Sequence, residues 1–191
     1  MATGVLVDAN VLYSRVLRDW LFLLKDETGG DMFTVHATED ILAETIYRLR
    51  RNHPDAPGSL TSRIQDRIRS NLDERVSDYT VDGSYPGTDK DDAHVHAAAV
   101  ASGAGFLVTA DTGFTKLDDA AMEQLPYEVH TPDTFFVLVD NSAPLKVRAV
   151  TQRQLRYYLD KDGGADLPDR LRKAGCPNFA KRVRAHLQAP A

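Results

Sequence analysis

Acidic residues in this 191-residue chain stand where short apolar runs give way to polar ones. Val5-Leu6-Val7 runs straight into Asp8, and Leu107-Val108-Thr109-Ala110 leads into Asp111 before Thr112-Gly113 turns the chain. Glu44 and Asp92 lie between them, too far apart in sequence to meet unless a fold gathers them. Four carboxylates facing one cleft raise each other's pKa and cannot all stay ionised without a compensating cation. Oxygen donors in that number suit Mg2+ or Mn2+, whereas zinc prefers His and Cys. The histidines agree with that choice: no two are spaced His-x-x-x-His, and the single cysteine, Cys176, leaves no Cys-x-x-Cys pair.

The elements that must position these acids follow from the hydrophobic pattern. Residues 4–7 and 105–109 are short apolar runs bounded by polar residues, the signature of buried strands. In a parallel α/β sheet, ligands bind outside the carboxyl ends of the strands, so Asp8 and Asp111 are expected at one edge. A helix is expected over residues 39–51, with Ile41, Leu42, Thr45, Ile46 and Leu49 as its apolar stripe. Glu44 falls to one side of that stripe, where a solvated flank residue is the plain alternative. Asp92 follows the Pro86-Gly87 turn and opens an Ala-rich helix over residues 93–101, near its positive end. Asp92 is open to two readings, a helix N-cap or a site acid. His96 shares its face and is read as a packed or solvated imidazole, with a supporting role behind the acids as the alternative.

Four segments together resemble the PIN domain, over roughly residues 3–140. They are Val-Leu-Val-Asp-Ala-Asn-Val-Leu-Tyr-Ser at the start, Ala-Glu-Thr-Ile-Tyr-Arg-Leu around Glu44, Asp91-Asp92-Ala-His-Val-His-Ala-Ala-Ala, and Leu-Val-Thr-Ala-Asp-Thr-Gly-Phe around Asp111. Within that family the chain is most similar to VapC-type toxins of toxin–antitoxin pairs, which are small metal-dependent endoribonucleases. The resemblance implies a three-layer α/β/α fold around a central parallel sheet. It also implies that Asp8, Glu44, Asp92 and Asp111 are catalytic acids that hold Mg2+ or Mn2+. Behind the acids, Asn10 matches the polar residue that commonly follows the first Asp by two, and Thr109 matches a hydroxyl residue two before the last acid that would orient ligands or the attacking water. Two positions depart from a clean match: Ala110 stands where a polar residue is common, and Asp89 and Asp91 compete with Asp92 for the third acid.

The implied reaction is hydrolysis of an RNA phosphodiester by metal-activated water, leaving a 5′-phosphate and a 3′-hydroxyl. A cognate antitoxin, and a homodimer, follow from the same likeness. A DNA structure-specific nuclease shares the acid chemistry, and a non-cleaving RNA- or protein-binding module shares the fold. A P-loop enzyme is excluded because Asp8-Ala9-Asn10-Val11-Leu12 contains no Gly-rich phosphate cradle. An aspartyl-phosphate phosphatase is disfavoured by Asn10, which stands where its second Asp is usual.

The net charge of −5 is unevenly spread. Residues 145–191 hold eleven Lys or Arg against four Asp, a net +7, and the preceding part carries −12. This basic tail reads as three helical pieces, about 145–160, 167–174 and 177–187, with Pro177 at a first helical turn. The expected organisation is a PIN-like domain over 1–142 and a small all-helical appendage over 143–191. Lys181, Arg182 and Arg184 are candidate nucleic-acid contacts, against the alternative of a solvated helix face. Leu12, Val16, Trp20, Leu23 and Leu24 suggest one helix after the first strand, and Thr131 is placed to cap another with Pro132 at its first position. Neither a basic-then-apolar leader nor an 18-residue apolar run occurs, so a soluble cytoplasmic protein is expected.

Overall fold

A computed structural model describes residues 2–162, 164 and 166–189. In chain order its elements are β1 (Thr3–Val7), α1 (Ala9–Tyr13), α2 (Arg15–Glu27), β2 (Phe33–Thr38), α3 (Glu39–Asn52), α4 (Gly58–Asn71) and β3 (Glu74–Val76). A 3-10 turn (Lys90–Asp92) then leads into α5 (Ala93–Ala101), β4 (Phe106–Val108), α6 (Thr112–Thr115), α7 (Asp119–Met122) and β5 (Glu128–His130). Four helices complete the chain: α8 (Pro132–Ser142), α9 (Pro144–Asp162), α10 (Leu167–Lys173) and α11 (Pro177–Gln188). The chain forms two compact units. One comprises the residues up to Tyr13 with Asp31–His130; the other comprises Ser14–Gly30 with the chain from Thr131 onward.

The first unit is an α/β fold built on a five-stranded parallel sheet of order β3-β2-β1-β4-β5. β1 is central, pairing Val5 with Val35 on one side and Leu6 with Leu107 on the other. A parallel strand between two others is apolar on both faces, and Val5, Leu6 and Val7 are fully buried. The strand ends where Asp8 donates its backbone N–H to Val108 O at 3.1 Å, so a carboxylate begins where the apolar run stops. β2 passes into α3 through Thr38, whose hydroxyl accepts from the Ile41 N–H at 3.0 Å. That cap fixes the start of α3 and hence the position of Glu44. The Ala-rich α5 buries Val95, His96, Ala97, Ala98 and Ala99.

The single helix expected after β1 is two helices. Ser14 adopts an extended backbone and accepts from the Leu17 N–H, which starts α2 anew. The buried residues of α2 include Leu17, Trp20, Leu21 and Leu24, while Val16 and Leu23 are half-exposed. The stripe read from the sequence ran across a break, and its phase changed there.

The second unit is helical. The appendage expected over 143–191 packs together with α2 and α8, because Phe179 of α11 lies edge-on to Trp20 and beside Phe136, each with ring centroids 5.1 Å apart. The three expected tail helices are α9, α10 and α11; of the break expected at Gly163-Gly164, Gly163 lies outside the described residues. Thr131 caps α8 with Pro132 in its first turn. Fourteen Lys or Arg against nine Asp or Glu give this unit a net +5. Among the described residues no helix is long and apolar enough to cross a membrane.

Asp133 of α8 supplies the start of α11. Its Oδ1 accepts from the backbone N–H groups of Asn178 at 3.0 Å and Phe179 at 2.8 Å, and its Oδ2 accepts from the Asn178 side chain at 2.9 Å. Cys176 at the N-cap position makes no such bond, so Asp133 caps the helix from outside. Asp133→Ala should therefore cost about 2 kcal/mol of stability, the scale of a lost cap with a buried donor left unpaired. Urea unfolding of the full chain should show a lower midpoint at unchanged slope; an unchanged midpoint would remove Asp133 from this role.

Candidate active site

Asp8, Glu44, Asp92 and Asp111 all line one cleft of about 560 Å³ in the first unit, together with Arg48, Asp89, Lys90, Asp91, His94 and Val95. Asp8 and Asp111 come from the ends of adjacent strands β1 and β4, Glu44 from α3, and Asp92 from the junction of the 3-10 turn with α5. The parallel sheet thus sets two of the acids side by side at its carboxyl edge, and helices bring the other two to them.

Asp8 is buried and held by three neutral donors. Its Oδ1 accepts from the Ala9 N–H, and its Oδ2 accepts from the Thr109 hydroxyl at 2.6 Å and from the Asn10 amide. Thr109 Oγ1 in turn accepts from the Asp111 N–H at 2.9 Å and from Asn10 Nδ2 at 3.1 Å. Asn10 closes the circuit by accepting from the Ala110 N–H at 3.0 Å through Oδ1. Asn10 and Thr109 therefore fix Asp8 and Asp111 relative to each other. At Ala110 it is the backbone that does this work, and its side chain is exposed.

Asp92 occupies the N-cap position of α5 without capping it through its side chain. Its carboxylate instead accepts from the Tyr85 hydroxyl at 3.3 Å, and that hydroxyl also lies 3.1 Å from Gly113 O. A Cβ on Gly113 would stand 1.8 Å from Asp92 Oδ2, so the absence of a side chain at 113 makes room for this carboxylate. Asp111 does act as a cap, accepting from the Gly113 N–H at 2.8 Å. Asp89 is used by the Asp91 N–H at 2.9 Å, and Asp91 is exposed. His96 is packed behind the site: Nδ1 is 2.7 Å from the Tyr127 hydroxyl, Nε2 is 3.1 Å from Ser84 Oγ, and its ring lies against those of Tyr85 and Tyr127.

Compared with protein-family models, residues 4–113 match the PIN domain, a span that takes in all four acids. The chain belongs to the PIN-domain family. Comparison with curated proteins and with solved structures finds no match. PIN domains are generally metal-dependent nucleases that use divalent ions such as Mg2+, and hence are hydrolases at the coarse level.

The electrostatics of this PIN domain show a surplus of negative charge. Burial pushes the Asp92 carboxyl up to about 6, and the charges of Asp111 and Asp89 add to the effect. Asp8 is also raised, first by burial; the Thr109 and Ala9 donors pull against this, and Glu44 and Asp111 push with it. The Tyr85 phenol is raised by burial and by Asp92, which keeps it a proton donor. Among the described residues no three His, Cys, Asp or Glu side chains converge tightly enough to hold an ion as they stand. Glu44 is turned onto Arg48 at 2.6 Å, and both oxygens of Asp8 accept hydrogen bonds. The donor chemistry nonetheless fits an oxygen-liganded divalent cation, which would offset both the burial and the mutual repulsion that raise Asp8 and Asp92.

Tyr85 and Gly113 were not singled out from sequence, nor was the pairing of Glu44 with Arg48, although its i,i+4 spacing was visible. Of the basic candidates in the second unit, Lys181 and Arg184 line a groove between α10 and α11 with Arg172. Arg182 does not line it: its side chain bonds Asn141 at 3.1 Å and lies 3.8 Å from Asp140.

Asp92 carries a pH signature. Its folded pKa of about 6 exceeds the ordinary 3.8, so between those values the folded chain binds more protons than the unfolded one. Its contribution to stability is thus present at low pH and lost as pH rises through 6. Asp92→Asn in EDTA should raise the melting temperature at pH 7.5 by roughly 1–3 °C and flatten its decline between pH 4.5 and 7.5. A lower melting temperature for the variant at pH 7.5 would contradict the repulsion described here.

Proposed function

We propose that the chain is a Mg2+- or Mn2+-dependent endoribonuclease, the toxin of a toxin–antitoxin pair, acting in the cytoplasm. The observation that carries this reading is the gathering of Asp8, Glu44, Asp92 and Asp111 on one cleft of a PIN domain. All four acid positions are filled, and two of their side chains are held above their ordinary pKa by burial and mutual charge.

In this reading Asp8, Glu44, Asp92 and Asp111 hold the cation, and no side chain acts as nucleophile. A bound divalent ion would supply the acidification of water and the offset of charge on the phosphate. Thr109 and Asn10 hold Asp8 Oδ2 and the Ala9 N–H holds Oδ1, so the Asp8 carboxylate is kept in a fixed orientation. The Tyr85 hydroxyl does the same for Asp92 by occupying Oδ2. Preorganised donors of this kind remove the cost of reorienting the acids when the cation arrives. The basic second unit, with Lys181 and Arg184 on its groove, is positioned in the proposal as a phosphate-binding surface. A cognate antitoxin and a homodimer belong to the same reading.

Asp8→Asn and Asp111→Asn should each lower Mg2+- or Mn2+-dependent cleavage of RNA at least about a hundredfold. End-group analysis of the products should show 5′-phosphates and 3′-hydroxyls; a 2′,3′-cyclic phosphate would refute activated-water hydrolysis. Parallel assays on DNA separate the ribonuclease from a DNA nuclease, and binding without cleavage by the parent chain would indicate a non-catalytic module. Replacing Lys181 and Arg184 with Glu should weaken RNA binding and flatten its salt dependence more than Arg182→Glu does. Equal effects of the three substitutions would take the groove out of the substrate path.

A further inference from the structure

Arg48 lies one helical turn after Glu44 on α3, with its Nη2 2.6 Å from Glu44 Oε1. The pair faces the cleft, which both residues line with Asp8, Asp92 and Asp111. Among the described residues no Lys or Arg pairs with Asp8, Asp92 or Asp111, so Arg48 is the cation that answers one of the four acids and leaves the other three to repel. Their side chains remain 39 % and 33 % exposed. An i,i+4 pair so open to water is weakly held, and a divalent ion drawn by three further carboxylates has the stronger claim on Glu44. An arginine released there is not idle. Its planar fork matches the paired oxygens of a phosphate, which Lys90, the other Lys or Arg lining the cleft, can meet only as a point charge, while six of the lining residues are acids that a phosphodiester would avoid.

We propose that Arg48 is a phosphate-binding residue parked on Glu44, and that a divalent cation taking Glu44 frees it to hold the substrate's phosphate. Loading of the acids and readiness for substrate are then a single exchange. This rests on the nuclease reading of the same cleft and adds to it a specific order: cation first, phosphate second.

The exchange makes two opposite demands on one side chain. Arg48→Gln removes the competitor for Glu44, so calorimetric titration of the full chain should show Mg2+ binding about two- to fivefold tighter than in the parent. The same variant should bind inorganic phosphate, used as the probe and followed by 31P line broadening, roughly ten- to a hundredfold more weakly in Mg2+. In EDTA the parent and Arg48→Gln should bind phosphate alike, because Arg48 is then still on Glu44. Arg48→Lys, which keeps the charge but not the fork, should recover part of the phosphate affinity. Arg51→Gln removes the same charge from an exposed position on the same helix outside the cleft, and should leave both affinities unchanged. A crystal structure with Mg2+ should show Glu44 and Arg48 more than 4 Å apart.

Equal Mg2+ affinity in the parent and Arg48→Gln, or an intact pair beside bound Mg2+, would overturn the exchange while leaving the nuclease reading in place. Equal changes in Arg51→Gln and Arg48→Gln would reduce the effect to the general field of the helix and overturn it also. Mg2+ binding to neither the parent nor any variant would bring down both proposals together.

Discussion

Like charges crowded at the carboxyl edge of a parallel sheet are the constraint on which this molecule is organised. The edge exists because β1 is buried between β2 and β4, and its apolar run can end only by releasing a polar residue into the space beyond the sheet. Asp8 occupies that position, and the end of β4 delivers Thr109 and Asp111 beside it. The fold then manages the resulting repulsion locally. Neutral donors saturate Asp8, a phenol steadies Asp92, a short helix N-terminus takes Asp111, and Arg48 takes Glu44. Each measure offsets part of the charge without closing the cleft, which leaves the acids available to a cation.

The roles of neutral and charged partners differ. Thr109 and Asn10 form a hydrogen-bonded circuit across two strand ends, in which every donor has an acceptor; such a network rigidifies what it joins. The Glu44–Arg48 pair lies within one helix and is open to water, so it can be exchanged at small cost. Two acids are thus fixed by the sheet and one is held provisionally by its own helix.

Much of this was legible in the sequence, for definable reasons. Asp8 and Asp111 could be placed because a buried strand announces itself as an apolar run and its end as the first acid. The α3 and α5 boundaries were readable from the stripe beginning at Ile41 and from the alanines after Asp92. β3 and β5 were not, since Glu74-Arg75-Val76 and Glu128-Val129-His130 are three-residue strands with too few side chains to show a period. Tyr85 escaped notice because it belongs to no helix or strand and reaches Asp92 only through the path of the chain. Gly113 read as a turn residue, while its importance lies in a close approach by a side chain from twenty-one positions earlier. The break at Ser14 was hidden because apolar residues continue on both sides of it, and a serine in a helical stripe looks like a tolerated substitution until its hydroxyl is seen to cap.

The discontinuity of the second unit has a consequence for how the protein is made. Residues 14–30 leave the ribosome about a hundred residues before α8 does, and Phe179, against which Trp20 packs, follows later still. While the parallel sheet is being completed, Leu17, Trp20 and Leu21 have no apolar face of their own unit to cover them. A nascent chain in that condition offers a sticky amphipathic segment to whatever is nearby, including chaperones and other growing copies. Translation of the helices after the sheet, α9 foremost among those packed on α2, is what covers it, so termination directly after the sheet leaves this helix unsheltered beside a finished α/β half.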